Sequence, residues 1–139
     1  MSSAVDIIIP NYNKAKYLED AIKSVLGQKY TNWNLYIIDD NSKDSSVKIL
    51  EKFRDNPKIT IVLLKKNKGP SFCRNLGMRI SNNDFIAFID SDDYWKEYKL
   101  KKQIKFMEKN NLDFTFTDFI PFFQTNDKKR FLKETNIIE

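Results

Sequence analysis

Histidine is absent from all 139 residues. That removes His-based triads, histidine general bases and histidine metal ligands, and leaves carboxylates, lysines, hydroxyls or a bound metal for any catalysis. Cysteine occurs once, at Cys73. No intrachain disulfide framework can form, and a single thiol with a packing role suits a reducing compartment. Glycine occurs three times, at Gly27, Gly69 and Gly77. None lies in the first strand-to-helix turn, which excludes the Gly-x-Gly-x-x-Gly fingerprint of dinucleotide oxidoreductases, and a P-loop is equally absent. No apolar run approaches the roughly 20 residues of a membrane span. The opening Met-Ser-Ser-Ala runs into a strand without a signal-peptide pattern. The expected location is the cytoplasm.

What is present suits one α/β domain: 41% hydrophobic and 31% charged residues, with a net charge of +5. A basic balance favours anionic partners such as nucleotides, phosphates or an anionic membrane surface. The lysines scatter over helices and no RNA or DNA motif accompanies them, so no nucleic-acid partner is expected. Apolar β-branched runs at 5–10, 34–40, 58–64 and 84–90 read as strands. Helical spacing marks 17–29, 45–53, a stretch to about residue 81 capped by Ser71, and the lysine-rich 98–110. Alternation at 113–118 predicts a fifth strand. Residues 124–139 turn polar, and a hairpin arm, a short helix or disorder all remain open for them. The pattern predicts an α/β fold with a mainly parallel sheet and helices on both faces, with 1–123 as the domain and 124–139 as a tail.

Two strands end in acids: Asp39-Asp40 and Asp90-Ser91-Asp92-Asp93. In an open parallel sheet, ligands bind beyond the carboxyl ends of the strands, so both clusters fall on the ligand rim with Pro10-Asn11-Tyr12-Asn13. Carboxylates crowded there repel one another unless a positive charge sits among them. A hard, oxygen-ligated Mg²⁺ or Mn²⁺ is the natural counter-ion, and it could bridge a diphosphate. Turn formation by Asp and Asn is the competing explanation for each cluster taken singly.

With these motifs in order, the chain resembles family-2 glycosyltransferases. The resemblance rests on Ile-Ile-Ile-Pro-Asn-Tyr-Asn-Lys, Tyr-Leu-Glu-Asp-Ala-Ile-Lys-Ser-Val-Leu-Gly-Gln and Ile-Ile-Asp-Asp-Asn-Ser-Lys-Asp. It continues through Asn67-Lys68-Gly69, Cys73-Arg74-Asn75-Leu76-Gly77 and Phe85-Ile86-Ala87-Phe88-Ile89-Asp90-Ser91-Asp92-Asp93-Tyr94-Trp95, covering about residues 4 to 120. It implies the GT-A, Rossmann-like fold, a nucleotide-sugar donor (UDP-linked by expectation), a divalent metal and inverting transfer to a glycan or lipid-linked acceptor in bacterial polysaccharide synthesis. It implies that Pro10, Tyr12 and Asp40 line a nucleobase pocket, with Asp39 close by supporting the strand end and counted with them among the donor-binding residues. Arg74, Asp90 and Ser91 lie towards the rest of the donor, and Asp92 with Asp90 holds Mn²⁺ or Mg²⁺ as the Asp-x-Asp motif. Tyr12 as a rim aromatic and Arg74 as a surface ion-pair residue are the plainer alternatives, while Tyr94 and Trp95 are either core or acceptor-side aromatics.

One departure matters. Family enzymes continue for about another hundred residues, which supply the acceptor pocket and the carboxylate base. The expectation is therefore a truncated chain whose general base lies elsewhere, with 124–139 either a polar tail or the start of the truncated acceptor region, and with apolar surface at 114–123 available for self-association. The basic helix at 98–110 is a candidate for peripheral contact with the inner membrane face. Competing functions are a non-catalytic nucleotide-sugar-binding module and, less favoured, a sugar nucleotidyltransferase, which would carry a glycine-rich loop where Asn11-Tyr12-Asn13-Lys14-Ala15 stands.

Overall fold

The computed structural model of the chain describes residues 3–125 and 128–131. Four strands form one sheet: β1 (Val5–Asn11), β2 (Trp33–Asp39), β3 (Ile59–Leu63) and β4 (Phe85–Phe88). Their order is β3-β2-β1-β4 and all pairings are parallel. Helices α1 (Ala15–Leu26), α2 (Ser46–Glu51) and α3 (Pro70–Ile80) connect the strands, and α4 (Lys99–Asn110) follows the sheet. β1 is buried at every position because it is central and covered on both faces.

Alternation along β1 divides the core. Val5, Ile7 and Ile9 join Leu18, Ile22 and Val25 of α1, Leu50 of α2, and Leu100 and Ile104 of α4 in one apolar cluster. On the other face, α3 sits close against β1 at Gly77. A methyl group on Gly77 would lie 2.6 Å from Ile8 Cγ2 and 2.9 Å from both Cγ1 and Cδ1. Ile8 is fully buried and has nowhere to retreat. Gly77→Ala is therefore expected to lose about 1–2 kcal/mol of stability, overpacking outweighing the helix propensity gained. Urea unfolding would show it as a lower midpoint, and a raised midpoint would contradict this packing.

Two local expectations change. The third helix starts at Pro70 rather than being capped by Ser71. Gly69 is its N-cap at φ +91°, and Pro70 occupies the first turn, where its missing N–H costs nothing. Residues 113–118 are not a strand. Alternation makes a strand only where a neighbouring strand supplies a ladder, and 113–118 pair with none among the described residues. Phe114, Phe116 and Phe119 there are 79%, 86% and 77% exposed, and the Gln103 side chain of α4 donates to Thr115 Oγ1 at 3.0 Å. An antiparallel hairpin follows, β5 (Phe122–Thr125) and β6 (Lys128–Phe131). The rest of the polar tail, 132–139, lies outside the described residues. Among those described, no helix is long and apolar enough to cross a membrane.

Candidate functional site

The strand order places a topological switch beside β1. Successive units run outward through β2 and β3, and β4 then returns to β1's other edge. A crevice opens at the carboxyl ends of such neighbours. Here it is a cleft of about 380 Å³, within the range of small-molecule sites. Pro10, Asn11, Tyr12 and Lys14 line it from the end of β1 and the turn after it, Asp40 from just past β2, Asn67, Gly69, Pro70, Cys73 and Arg74 from the loop into α3 and its first turns, and Asp90, Ser91 and Asp92 from the loop after β4. Every site residue expected from the sequence is on this lining except Asp39. A second hollow, at the outer edge of β3 beside Arg54, Ile59, Ile61 and Leu63, has no comparable set of converging polar groups.

Asp39 acts from beneath. Its Oδ1 accepts from Asn11 Nδ2 at 2.8 Å and Ser42 Oγ at 2.7 Å, and its Oδ2 from the Ser42 N–H at 2.9 Å. It ties the ends of β1 and β2 together from below the cleft lining. Asp40, also buried, accepts from the N–H of Lys68 at 2.6 Å and of Gly69 at 2.8 Å. This clamps the loop leading into α3 against the end of β2. Both clamps leave lone pairs free, since a carboxylate has about four acceptor sites. Asn11 Oδ1 is buried with no hydrogen-bond partner among the described residues.

The loops around the cleft brace one another. Asn13, left-handed at φ 51°, accepts from the Lys43 N–H at 2.7 Å, and its own N–H donates to Ser42 Oγ at 2.9 Å. Asp44 accepts from Ala15 N–H at 2.9 Å and Ser46 N–H at 2.9 Å, so it caps the starts of both α1 and α2. Burial alone would raise the Asp44 carboxyl, but hydrogen bonding from Ser46, side chain and backbone, and from the Ala15 N–H outweighs it and holds the group below its ordinary range. From behind, buried Gln28 donates to Lys96 O at 2.8 Å and accepts from Leu100 N–H at 3.0 Å. Ser24 Oγ accepts from Trp95 N–H at 3.0 Å. α1 thus anchors the chain just after the acidic loop. Tyr94 meets Phe122 edge to face at 5.1 Å, and Trp95 packs against the core with Lys99 Nζ 3.9 Å over its ring.

Ligand oxygens of Asp90, Asp92 and Asp93 lie within 4.8 Å of one another. Opposite oxygens on an ion with bonds of about 2.1 Å stand about 4.2 Å apart. Adjacent oxygens on such an ion stand about 3.0 Å apart, so these partly exposed side chains would have to draw closer together around it, and the all-oxygen donor set suits Mg²⁺ or Mn²⁺. The crowding leaves an electrostatic mark. Burial, then Asp92 and Asp90, push the Asp93 carboxyl up. Two cations already sit in this field. Arg74 Nη2 donates to Asp90 Oδ1 at 2.7 Å, and Lys14 Nζ lies 2.9 Å from Asp92 Oδ2. The Lys14 ammonium is raised by its hydrogen bond and charge pairing with Asp92, and further by Asp90. Arg74 is therefore both an ion-pair residue and a cleft residue. Burial, with Asp40 and Asp39 nearby, pushes the Cys73 thiol up to about 11, so it stays neutral and packs.

Lys14, Asn11, Asn67 and Gln28 carry no assigned role in the sequence reading, although Asn11 lies on its ligand rim and Asn67 in one of its motifs. For Lys14 a signal existed: it ends the Pro-Asn-Tyr-Asn-Lys run on the same rim as the acids.

A family model described as glycosyl transferase family 2 matches residues 6–138. This chain belongs to glycosyl transferase family 2. The Escherichia coli protein WfgD is named UDP-Glc:alpha-D-GlcNAc-diphosphoundecaprenol beta-1,3-glucosyltransferase. It is 40% identical over 116 residues, which are 83% of this chain and 45% of WfgD. An uncharacterized glycosyltransferase of Haemophilus influenzae is 39% identical over 116 residues, 83% of this chain and 46% of the relative. The chain thus spans less than half the length of these family-2 relatives. Among solved structures, S. aureus TarS 1-349 in complex with UDP-GlcNAc superposes with a TM-score of 0.73 at 29% identity, over 78% of this chain and 32% of TarS. The Pyrobaculum calidifontis mannosyltransferase PcManGT, in complex with GDP-Man and Mn²⁺, gives 0.71 at 20% identity over 77% of this chain and 33% of that one, a likeness of fold. The sheet and its neighbours make this the GT-A fold of family-2 glycosyltransferases.

Proposed function

We propose that the cleft binds a nucleoside diphosphate sugar, UDP-linked, together with Mn²⁺ or Mg²⁺, as the donor site of an inverting glycosyltransferase acting on a glycan or lipid-linked acceptor. The observation that carries this is the convergence of Pro10, Tyr12, Asp40, Arg74, Asp90, Ser91 and Asp92 on one crevice at the switch point. Tyr12, 46% exposed on the rim, offers its ring to a base, with Pro10 and the free lone pairs of Asp40 on the same side. Arg74 and the first turn of α3 face the diphosphate, which a helix N-terminus also favours. Asp90 and Ser91 stand where ribose and diphosphate meet, and Asp92 with Asp90 would hold the metal. When bound, the divalent ion supplies Lewis-acid neutralisation of the charge that develops on the leaving nucleoside diphosphate. The printed name of WfgD, with its UDP-Glc donor and diphosphoundecaprenol acceptor, and the UDP-GlcNAc complex of TarS support this reading.

Residues 1–123 form the donor-binding portion in this proposal, and 124–139 a tail beyond it. No cleft residue is assigned as the general base, which favours a nucleotide-sugar-binding module as the second reading for these residues alone. The proposed setting is the cytoplasmic side of a membrane. The exposed lysines of α4 support peripheral contact, and Phe114, Phe116 and Phe119 support self-association. Calorimetric titration of the chain with UDP, in Mn²⁺ and again in EDTA, tests the donor site. Binding that strengthens with Mn²⁺ is expected, with GDP and CDP weaker. Absence of UDP binding in both conditions would sink the donor-site reading.

A further inference from the structure

We propose that Lys14 is a diphosphate-binding side chain held on Asp92 in the ligand-free chain, so that a divalent ion and a nucleoside diphosphate bind cooperatively. The inference rests on the donor-site reading and assigns it a residue and a coupling.

Three observations carry it. The Lys14 ammonium and the Asp92 carboxylate are 2.9 Å apart with side chains 45% and 41% exposed. A pair this open is weak and exchangeable. Lys14 also lines the same cleft as Arg74, Asp40 and Ser91, so an anion lying there is within its environment. Its backbone is meanwhile fixed: Lys14 O accepts from the N–H of Tyr17 and of Leu18, each at 2.9 Å, at the start of α1. Only the side chain has to swing.

Charge decides the direction of the coupling. Three carboxylates, Asp90, Asp92 and Asp93, face two cations, Lys14 and Arg74. The ligand-free cluster therefore carries one net negative charge and repels a diphosphate. A divalent ion on the carboxylates turns that into one net positive charge and displaces Lys14 from Asp92. The released ammonium is then free to pair with an anion that enters. Conversely, an anion that draws Lys14 away leaves Asp92 open to the ion. Each ligand lowers the cost of the other, as linkage requires.

The test separates the two ligands. Mn²⁺ binding alone is measured by electron paramagnetic resonance of free Mn²⁺, and UDP binding by calorimetry at saturating Mn²⁺, for wild type, Lys14→Met and Lys14→Arg. Lys14→Met is expected to bind Mn²⁺ alone about threefold tighter, since its competitor for Asp92 is gone. The same variant should bind UDP about tenfold more weakly, having lost a charge-assisted hydrogen bond. Lys14→Arg is expected to return both values towards wild type. Opposite signs from one substitution cannot come from a damaged fold, which would weaken both. If wild type binds UDP with Mn²⁺ but Lys14→Met shifts neither value, or shifts both the same way, the Lys14 inference falls and the donor site stands. If wild type binds Mn²⁺ but no UDP, both fall.

Discussion

In the Asp92→Ala variant, UDP titrations with and without Mn²⁺ are expected to coincide. Wild type is expected to show a clear gain from the metal. The Asp92 carboxylate belongs, with Asp90 and Asp93, to a set of oxygens within 4.8 Å of one another. Removing groups that merely orient a metal ligand costs about 10–100-fold in metal affinity, so deleting a ligand is expected to reach about 100-fold. The metal-free arm carries the sharper signature. Alanine at 92 also removes the partner of Lys14, so UDP affinity in EDTA should hold at the wild-type value or exceed it. A variant that had simply unfolded would lose binding in both arms. Asp40→Ala is the contrasting case. Its carboxylate clamps the N–H groups of Lys68 and Gly69 at the part of the cleft proposed to take the base. Weakening by about tenfold is expected with metal and without it, the cost of a lost charge-assisted contact. An unchanged Mn²⁺ gain in Asp92→Ala would remove Asp92 from the metal site.

The parts of this fold legible in the sequence are those that local periodicity encodes. Four apolar β-branched runs became the four parallel strands, and because ligands collect at the carboxyl ends of such strands, the acids closing β2 and β4 marked the cleft before any coordinates did. The division of labour within each acidic pair was less legible. Asp39 and Asp40 are neighbours of identical chemistry. The pleat turns one under the sheet towards Asn11 and Ser42 and the other towards the α3 loop, a distinction that depends on tertiary placement. Lys14 was overlooked for a related reason. A lysine in a chain with 24 basic residues carries little information until its partner, 78 positions away, is seen beside it. Gln28 likewise reads as an ordinary helix-end residue, yet it is 4% exposed and spends its amide holding the chain after the acidic loop. The alternation at 113–118 misled in the opposite sense, because a strand pattern describes one partner of a ladder and says nothing of whether the other is present.

Asp6 interrupts the first apolar run, and it is expected to give the largest stability loss of any single substitution considered. It lies fully buried near the amino end of β1, the edge of the sheet opposite the cleft. Oδ2 accepts from the N–H of Asn82 at 2.8 Å and of Asn83 at 3.0 Å. Oδ1 accepts from the side-chain amides of Asn83 at 2.7 Å and Asn34 at 3.2 Å. The carboxylate thus shapes the turn that delivers β4 to β1. Burial acts to raise its titration point, but the four donors outweigh burial and hold it below the ordinary 3.8. Asp6→Ala leaves these part-buried donors without their shared acceptor and is expected to cost about 2–3 kcal/mol in chemical unfolding. Asp6→Asn separates charge from hydrogen bonding. Its single carbonyl can still take the two backbone N–H groups, while the amides of Asn34 and Asn83 can turn their oxygens towards the new NH₂. A loss of about 1–2 kcal/mol is expected there. The sign of the pH dependence follows from the lowered titration point. A carboxyl whose folded value is depressed contributes fully above the unfolded value and loses that contribution as the pH falls through the folded one. The stability gap between wild type and Asp6→Asn should therefore stay level above the ordinary 3.8 and narrow below it. A gap that widened on acidification would show that Asp6 is protonated in the fold, and the turn would then be held by a neutral acid instead of a carboxylate.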